Sequence, residues 1–216
     1  MSETTQQPAV EMFFDPTCPW AWMTSRWLME VEQVRDIQVT WSPMSLAVLN
    51  EGRDLPEDYA AAMQAAWGPV RVISAAIAEH GEKQAKVLYD AMGERFHPGG
   101  RKNVEEGQAV IAEALAEVGL PAELADVAFP QGVGSNPEDE ITADLRQRQQ
   151  RVIDLVGDDV GTPVIAVDGV AFFGPVVTPA PKGEDAGRLW DGCVLVASTP
   201  GFYELKRSRD AGPQFD

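Results

Sequence analysis

The chain alternates between strand and helix periodicity at both of its ends and nowhere in its middle. Residues 10–14 form an apolar run, Val10 to Phe14, that reads as a strand. Residues 19–35 carry Trp27, Leu28, Val31 and Val34 on one helical face, and 37–44 return to strand with Ile37, Val39 and Trp41 alternating. From about Leu55 to Val156 only helix signals occur. At the far end, Pro163 to Val167 and Val170 to Phe173 are β-rich runs joined by Asp168-Gly169, a dipeptide favoured in tight hairpin turns, and a helix from about Glu184 to Ser198 follows. The expectation is an α/β fold in which 1–54 and 157–216 make one discontinuous domain and 55–156 is an inserted, all-helical cap subdomain.

Within the middle, Pro56 precedes an alanine-rich stretch and Gly81 follows a second one as a C′ residue. Asn103 and Glu106 have capping-box spacing before Val110, Ile111 and Leu115. Asn136 with Pro137 starts a last long helix through Ile141, Leu145, Val152 and Ile153, which Gly157 ends. The polar tail from about Arg207 is expected to lie on the surface or fray.

Charge removes several partner classes. A formal net charge of −17 over 216 residues argues against nucleic acid and against anionic membranes. No apolar stretch approaches a bilayer crossing, and Met1 to Ala9 lacks the pattern of a secretory signal, so the expected compartment is the cytoplasm. Two cysteines cannot build a disulfide framework in a chain of this size.

One of those cysteines is placed for chemistry. Cys18-Pro19-Trp20-Ala21 lies where the first strand gives way to the first helix. A cysteine at a helix N-terminus faces unpaired backbone N–H groups and the positive end of the helix dipole, which lower a thiol pKa, and Pro19 suits the first helical turn. Cys193 instead falls with Ala186, Leu189, Trp190, Val194 and Ala197 on an apolar helix face and reads as a packed core thiol. Thr162-Pro163 opens the third strand in the loop Val160-Gly161-Thr162-Pro163. No G-x-G-x-x-G lies between strand and helix, so no flavin or dinucleotide is expected, and no metal.

The C-P-W-A element resembles the C-x-x-C of thioredoxin-fold oxidoreductases with its second thiol missing, and β-α-β, helical block, β-β-α is the order of a thioredoxin-like fold with an inserted helical subdomain. The resemblance sharpens over Asp15 to Trp27, Met44 to Asn50, Ala66 to Arg71, Gly161-Thr162-Pro163, Gly169 to Pro175, Phe202 to Arg207 and Pro213 to Asp216. Together these are similar to the DsbA-like, mycothiol-dependent nitroreductase family of actinobacteria, in a monothiol variant. The resemblance implies a cis peptide bond at Pro163 beside Cys18, mycothiol as thiol co-substrate, a small nitroaromatic substrate, and Cys18 as the catalytic nucleophile. Ala21 puts any two-cysteine cycle in doubt.

Around Cys18 the candidate substrate- or thiol-binding residues are Pro19, Trp20, Trp22, Asn50, Tyr59, His97, Thr162 and Pro163. Trp20 and Trp22 would flank the sulfur and stack on flat substrates, with Trp20 the better candidate and the other expected in the core. Asn50 and Tyr59 lie where the chain crosses from sheet to helical block, and His97 precedes Pro98-Gly99-Gly100 in a loop that could face the cleft. Each has a plainer reading as a turn, packing or surface residue, and Asp15 and Arg26 read as local capping or pairing residues. Two rival functions stay open: an enzyme of the kappa glutathione transferase type that activates a thiol cofactor, and a redox-inactive binding module. A homodimer is also left open.

Overall fold

A computed structural model describes residues 8–134 and 137–215. Strand β1 (Ala9–Phe14) leads into helix α1 (Pro19–Val34) and strand β2 (Gln38–Pro43), followed by α2 (Leu46–Leu49), α3 (Glu57–His80), α4 (Lys83–Phe96), α5 (Asn103–Val118), a 3-10 segment at Ala122–Val127, and α6 (Glu140–Val156). Strands β3 (Val164–Val167) and β4 (Val170–Phe173) and helix α7 (Gly183–Ala197) complete the order.

The sheet runs β2-β1-β3-β4. β1 pairs parallel with β2, Met12 opposite Trp41, and antiparallel with β3, Met12 opposite Ile165. As a central strand β1 is covered on both faces, so Met12, Phe13 and Phe14 are all buried and the alternation of a half-exposed strand is lost. The β3–β4 hairpin turns through Asp168 and Gly169 with φ of 47° and 86°, the two left-handed residues that a type I′ turn requires. This is a thioredoxin-like α/β fold, and between β2 and β3 the described residues contain helices only.

The helical block is not stacked on the sheet as a separate body. One apolar cluster joins Met12 and Phe14 of β1 and Trp22 and Trp27 of α1 to Tyr89 and Met92 of α4 and Val110 and Ile111 of α5. A buried arginine fastens the helices to one another. Arg71 of α3 donates to the Val127 carbonyl at 2.7 Å, to Thr142 Oγ1 at 2.7 Å and to both carboxylate oxygens of Asp139.

Several sequence expectations need correction. The two alanine-rich stretches are one 24-residue helix, α3, which continues through Pro69 before Gly81 caps it. The N-cap of α5 is Lys102 rather than Asn103; Glu106 reaches back to the Lys102 N–H as a capping box would, but the Asn103 side chain has no partner. The last helix of the block starts at Glu140, capped by Asp139, whose carboxylate accepts the Thr142 N–H at 2.8 Å. Asn136 lies outside the described residues. The C-terminal tail is largely exposed, yet it does not fray throughout: the Gln214 N–H donates to Thr178 Oγ1 at 2.9 Å and Phe215 packs against the core.

Gly93 sets the distance between α4 and α1, since a Cβ there would stand 2.2 Å from Trp22 Cζ3. Gly93→Ala must therefore push the Trp22 ring out of its slot. It is expected to destabilise the protein by about 1–3 kcal/mol, seen as a lower urea midpoint with an unchanged m-value.

Candidate active site

Cys18 is the N-cap of α1, with φ −84° and ψ 114°, and Pro19 is the first helical residue. The strand ends at Phe14, and Asp15 makes the turn. Its Oδ1 accepts the Thr17 N–H at 2.8 Å and the Thr17 hydroxyl at 2.7 Å, while its Oδ2 accepts the Leu46 N–H at 2.8 Å. The loop before the thiol is thereby tied to the start of α2. On the other side stands the loop before β3, where the Thr162-Pro163 bond is cis. Thr162 Oγ1 donates to the Phe13 carbonyl at 3.1 Å, and the Thr162 carbonyl accepts from Cys18 Sγ at 3.5 Å.

That last contact defines the resting state of the sulfur, because only a protonated thiol can donate to a carbonyl. Cys18 is 7% exposed. Burial pushes its thiol up to about 12, against the Trp20 and Ala21 N–H groups and the Arg209 charge, which pull it down; the Asp15 charge pushes it further up. The sequence argument for a lowered pKa counted the helix terminus and omitted desolvation, which is larger here. Cys193 sits half-buried on α7, and burial pushes it up to about 11. Both cysteines are free thiols.

The remaining candidates fall into two groups. Pro19 and Trp20 are partly exposed beside the thiol, Thr162 and Pro163 are buried against it, and Asn50 and Tyr59 approach from α2 and α3. The Asn50 side chain donates to the Leu46 carbonyl at 2.8 Å. The Tyr59 hydroxyl is raised in pKa by burial and then by the Cys18 and Asp15 charges, with Asn50 acting in the opposite direction. Trp22 and His97 are both buried. Trp22 is 2% exposed and packs inward, its ring 5.7 Å from Tyr89 and 5.5 Å from His97, with the Arg26 guanidinium 3.9 Å above it. Trp22 therefore supports the site helix from beneath.

His97 is no surface residue. It is buried, with Nε2 3.1 Å from the Pro16 carbonyl. A carbonyl only accepts, so Nε2 carries the proton, and burial holds the imidazole pKa down to about 4. His97 thus braces the loop that delivers Cys18. Sequence reasoning also underrated Asp15, which is fully buried, and gave no role to Arg209 or Phe215. The signal for Asp15 was its place between an apolar strand and the thiol; the tail residues carried no local signal. Among the described residues no group of three or more His, Cys, Asp or Glu side chains could hold a metal ion, and no helix is long and apolar enough to cross a membrane.

A helix-capping thiol against a cis-proline loop, on a thioredoxin-like sheet, defines the class: a thiol-dependent oxidoreductase. Comparison with known proteins narrows it. Residues 17–207 match the model of the Rv2466c-like family, described as mycothiol-dependent nitroreductase Rv2466c, and the chain belongs to that family. It is 30% identical over 200 residues to the uncharacterized protein Rv2286c of Mycobacterium tuberculosis, covering 93% of this chain and 82% of that one. Two solved structures share the fold. The probable DsbA oxidoreductase SCO1869 of Streptomyces coelicolor has a TM-score of 0.54 at 16% identity, covering 96% of this chain and 97% of that one. The cytosolic disulfide reductase DsbM of Pseudomonas aeruginosa with GSH has a TM-score of 0.51 at 19% identity, covering 87% and 99%.

The state of His97 sets a pH dependence. Its folded pKa lies near 4, below the ordinary 6.5, so the unfolded chain binds the extra proton first. Stability from this residue is complete above about pH 6.5 and drains away as the pH falls toward 4, by at most about 3 kcal/mol. Urea titrations across that window should show the loss, and His97→Gln should flatten it.

Proposed function

We propose that this protein is a mycothiol-dependent reductase that acts on small nitroaromatic or disulfide substrates through one nucleophilic cysteine, Cys18. The observation that carries this reading is the pairing of a helix-capping thiol with the Thr162 carbonyl of a cis-proline loop, in a chain whose family is described as mycothiol-dependent. Ala21 stands where a C-x-x-C element would carry its resolving thiol, and Cys193 lies on α7. Resolution therefore falls to a second molecule of the small thiol.

The chemistry balances with thiols alone. On a mixed disulfide, the Cys18 thiolate attacks one sulfur, a new S–S bond forms, and the other sulfur leaves as a thiolate. A mycothiol thiolate then attacks the Cys18 adduct, forming mycothiol disulfide and returning Cys18 as thiolate. For a nitro group, the Cys18 thiol and one mycothiol thiol together give up two electrons and two protons; the nitro group becomes nitroso, one oxygen leaves as water, and a Cys18–mycothiol mixed disulfide forms, which a second mycothiol thiolate resolves to mycothiol disulfide and free Cys18. No flavin, nucleotide or metal enters that balance.

Pro19 and Trp20 would form the wall on which a flat substrate stacks, with Asn50 and Tyr59 opposite and Thr162 and Pro163 closing the third side. In this reading 55–156 is the cap, reaching the site through Tyr59 of α3 and bracing it through His97. A buried thiol must be uncovered before it reacts, so turnover includes an opening step. The cytoplasm, where small thiols are kept reduced, suits this cycle.

The depth of Cys18 also supports a second reading, in which the protein activates a bound cofactor thiol as kappa glutathione transferases do and forms no bond to Cys18. Substitution separates the two. Cys18→Ser should lower mycothiol-dependent reduction of a nitroaromatic by on the order of 10³-fold, and NADPH alone should not support turnover. Trp20→Ala should weaken substrate use about tenfold through lost stacking. Oxidation with diamide and mycothiol should add one mycothiol mass to Cys18, whereas Ala21→Cys should instead close an internal disulfide. Full activity in Cys18→Ser transfers the assignment to the transferase-like reading.

A further inference from the structure

Beyond α7 the tail is exposed through residue 212, yet its end is pinned at two points. Gln214 is held by Thr178 next to the β4–α7 connection, and the Phe215 ring lies 5.7 Å from that of His97. Phe215 also lines a cleft of roughly 350 Å³ with Trp22, Met23, Arg26 and Pro179. Between α7 and these anchors the tail brings Arg209 to the thiol end of α1, where its guanidinium carbon stands 5.1 Å from the centroid of the Trp20 ring. Residue 209 lies beyond the span 17–207 that matches the family.

The charge of Arg209 is uncommitted. Arg26 is paired with Asp90, and Arg35 with Glu184 and Asp191, whereas Arg209 has no ion pair within 4.0 Å among the described residues. The groups that act on Cys18 come from several elements. Asp15, in the loop before α1, opposes the thiolate, and the Trp20 and Ala21 N–H groups of α1 favour it. Tyr59 of α3 and Tyr89 of α4 are neutral phenols, and His97, after α4, is neutral and turned to the Pro16 carbonyl. Arg209 adds a positive charge that favours the thiolate, less strongly than those N–H groups.

We infer that Arg209, held over Trp20 by the anchored C-terminal tail, is a positioning residue of this site: it supplies the positive charge against which the Cys18 thiolate forms. This rests on the reading of Cys18 as the nucleophile. It also gives the tail a function in the reaction, since the anchors at Gln214 and Phe215 keep that charge at the mouth.

The test is the rate of iodoacetamide alkylation of Cys18, read by peptide mass spectrometry against Cys193 in the same sample, from about pH 7 to 9. Arg209→Gln should shift the log rate of Cys18 downward by about three- to tenfold at low salt, parallel to the wild-type line, while Cys193 is unchanged. The gap should close at high salt, because a charge at an exposed mouth is screened. Arg209→Lys should stay near the wild-type line. Coincident lines for Arg209→Gln and wild type overturn the inference, as does a gap that ignores salt or a Lys variant that falls with Gln. These results are independent of the Cys18→Ser assay: retained activity there removes the nucleophile reading, whereas failure here, with Cys18→Ser inactive, removes only Arg209.

Discussion

The buried carboxylate of Asp15 is the knot on which the site depends. A carboxylate with no exposure carries a large desolvation penalty, and burial accordingly raises its pKa. The offset comes from three donors: the Thr17 N–H and hydroxyl on one oxygen and the Leu46 N–H on the other. These donors belong to separate segments, so satisfying one carboxylate joins the turn before Cys18 to the start of α2. Through that tie α2 carries Asn50 to the site and sets Leu46 against Gly161, where a Cβ would stand 3.3 Å from Leu46 Cδ2. Gln149 of α6 adds a second tie, accepting the Ser45 N–H at 3.1 Å. Strand, cis-proline loop and helical block therefore meet through backbone donors rather than through apolar contact alone.

That construction places stability and reactivity in opposition at the sulfur. A thiol raised from 9.0 to about 12 is disfavoured as thiolate by about 4 kcal/mol relative to the free side chain. The helix N-terminus acts in the direction sequence reasoning assigned, but two N–H groups do not outweigh complete desolvation. The same burial protects the thiol from casual oxidation, since susceptibility follows thiolate character and exposure. In the opening step proposed for turnover, solvent returned to the sulfur would lift the desolvation penalty, and the helix-terminus N–H groups would then favour the thiolate.

What the sequence made legible follows from what is local. The hairpin turn was legible because only Asp168-Gly169 supplies two residues able to take positive φ between two β-rich runs. The closing boundary of α6 was legible because Gly157 follows an apolar period, and the opening boundary of α1 because Pro19 marks a first turn. The unity of α3 was hidden, because Gly68-Pro69 reads as a break; in the structure Gly68 instead admits the Phe129 ring, which would lie 2.2 Å from a Cβ there. The depth of Cys18, the brace from His97 to Pro16 and the return of the tail are long-range. They join residues such as 18 and 162, or 97 and 215, whose local sequence gives no sign of the partner. Resemblance supplied the pairing of Cys18 with the proline loop; nothing in spacing alone could.

Charge gives the tail its significance. A chain of net charge −17 repels anionic reagents over most of its surface, and thiol exchange proceeds through thiolates. A cysteine in such a field needs a nearby cation more than the same cysteine on a neutral protein would. α1 offers none in its first turn: Trp20, Ala21 and Trp22 are uncharged, and Arg26 farther along is committed to Asp90 and to the Trp22 face. Asp15 makes matters worse at close range. A cation recruited from far along the chain, on a tail anchored by one aromatic contact and one backbone hydrogen bond, answers that local deficit. The β-α-β opening fixes where the thiol stands and sets Asp15 beside it; the role inferred for Arg209 is to add an opposing positive charge from the tail.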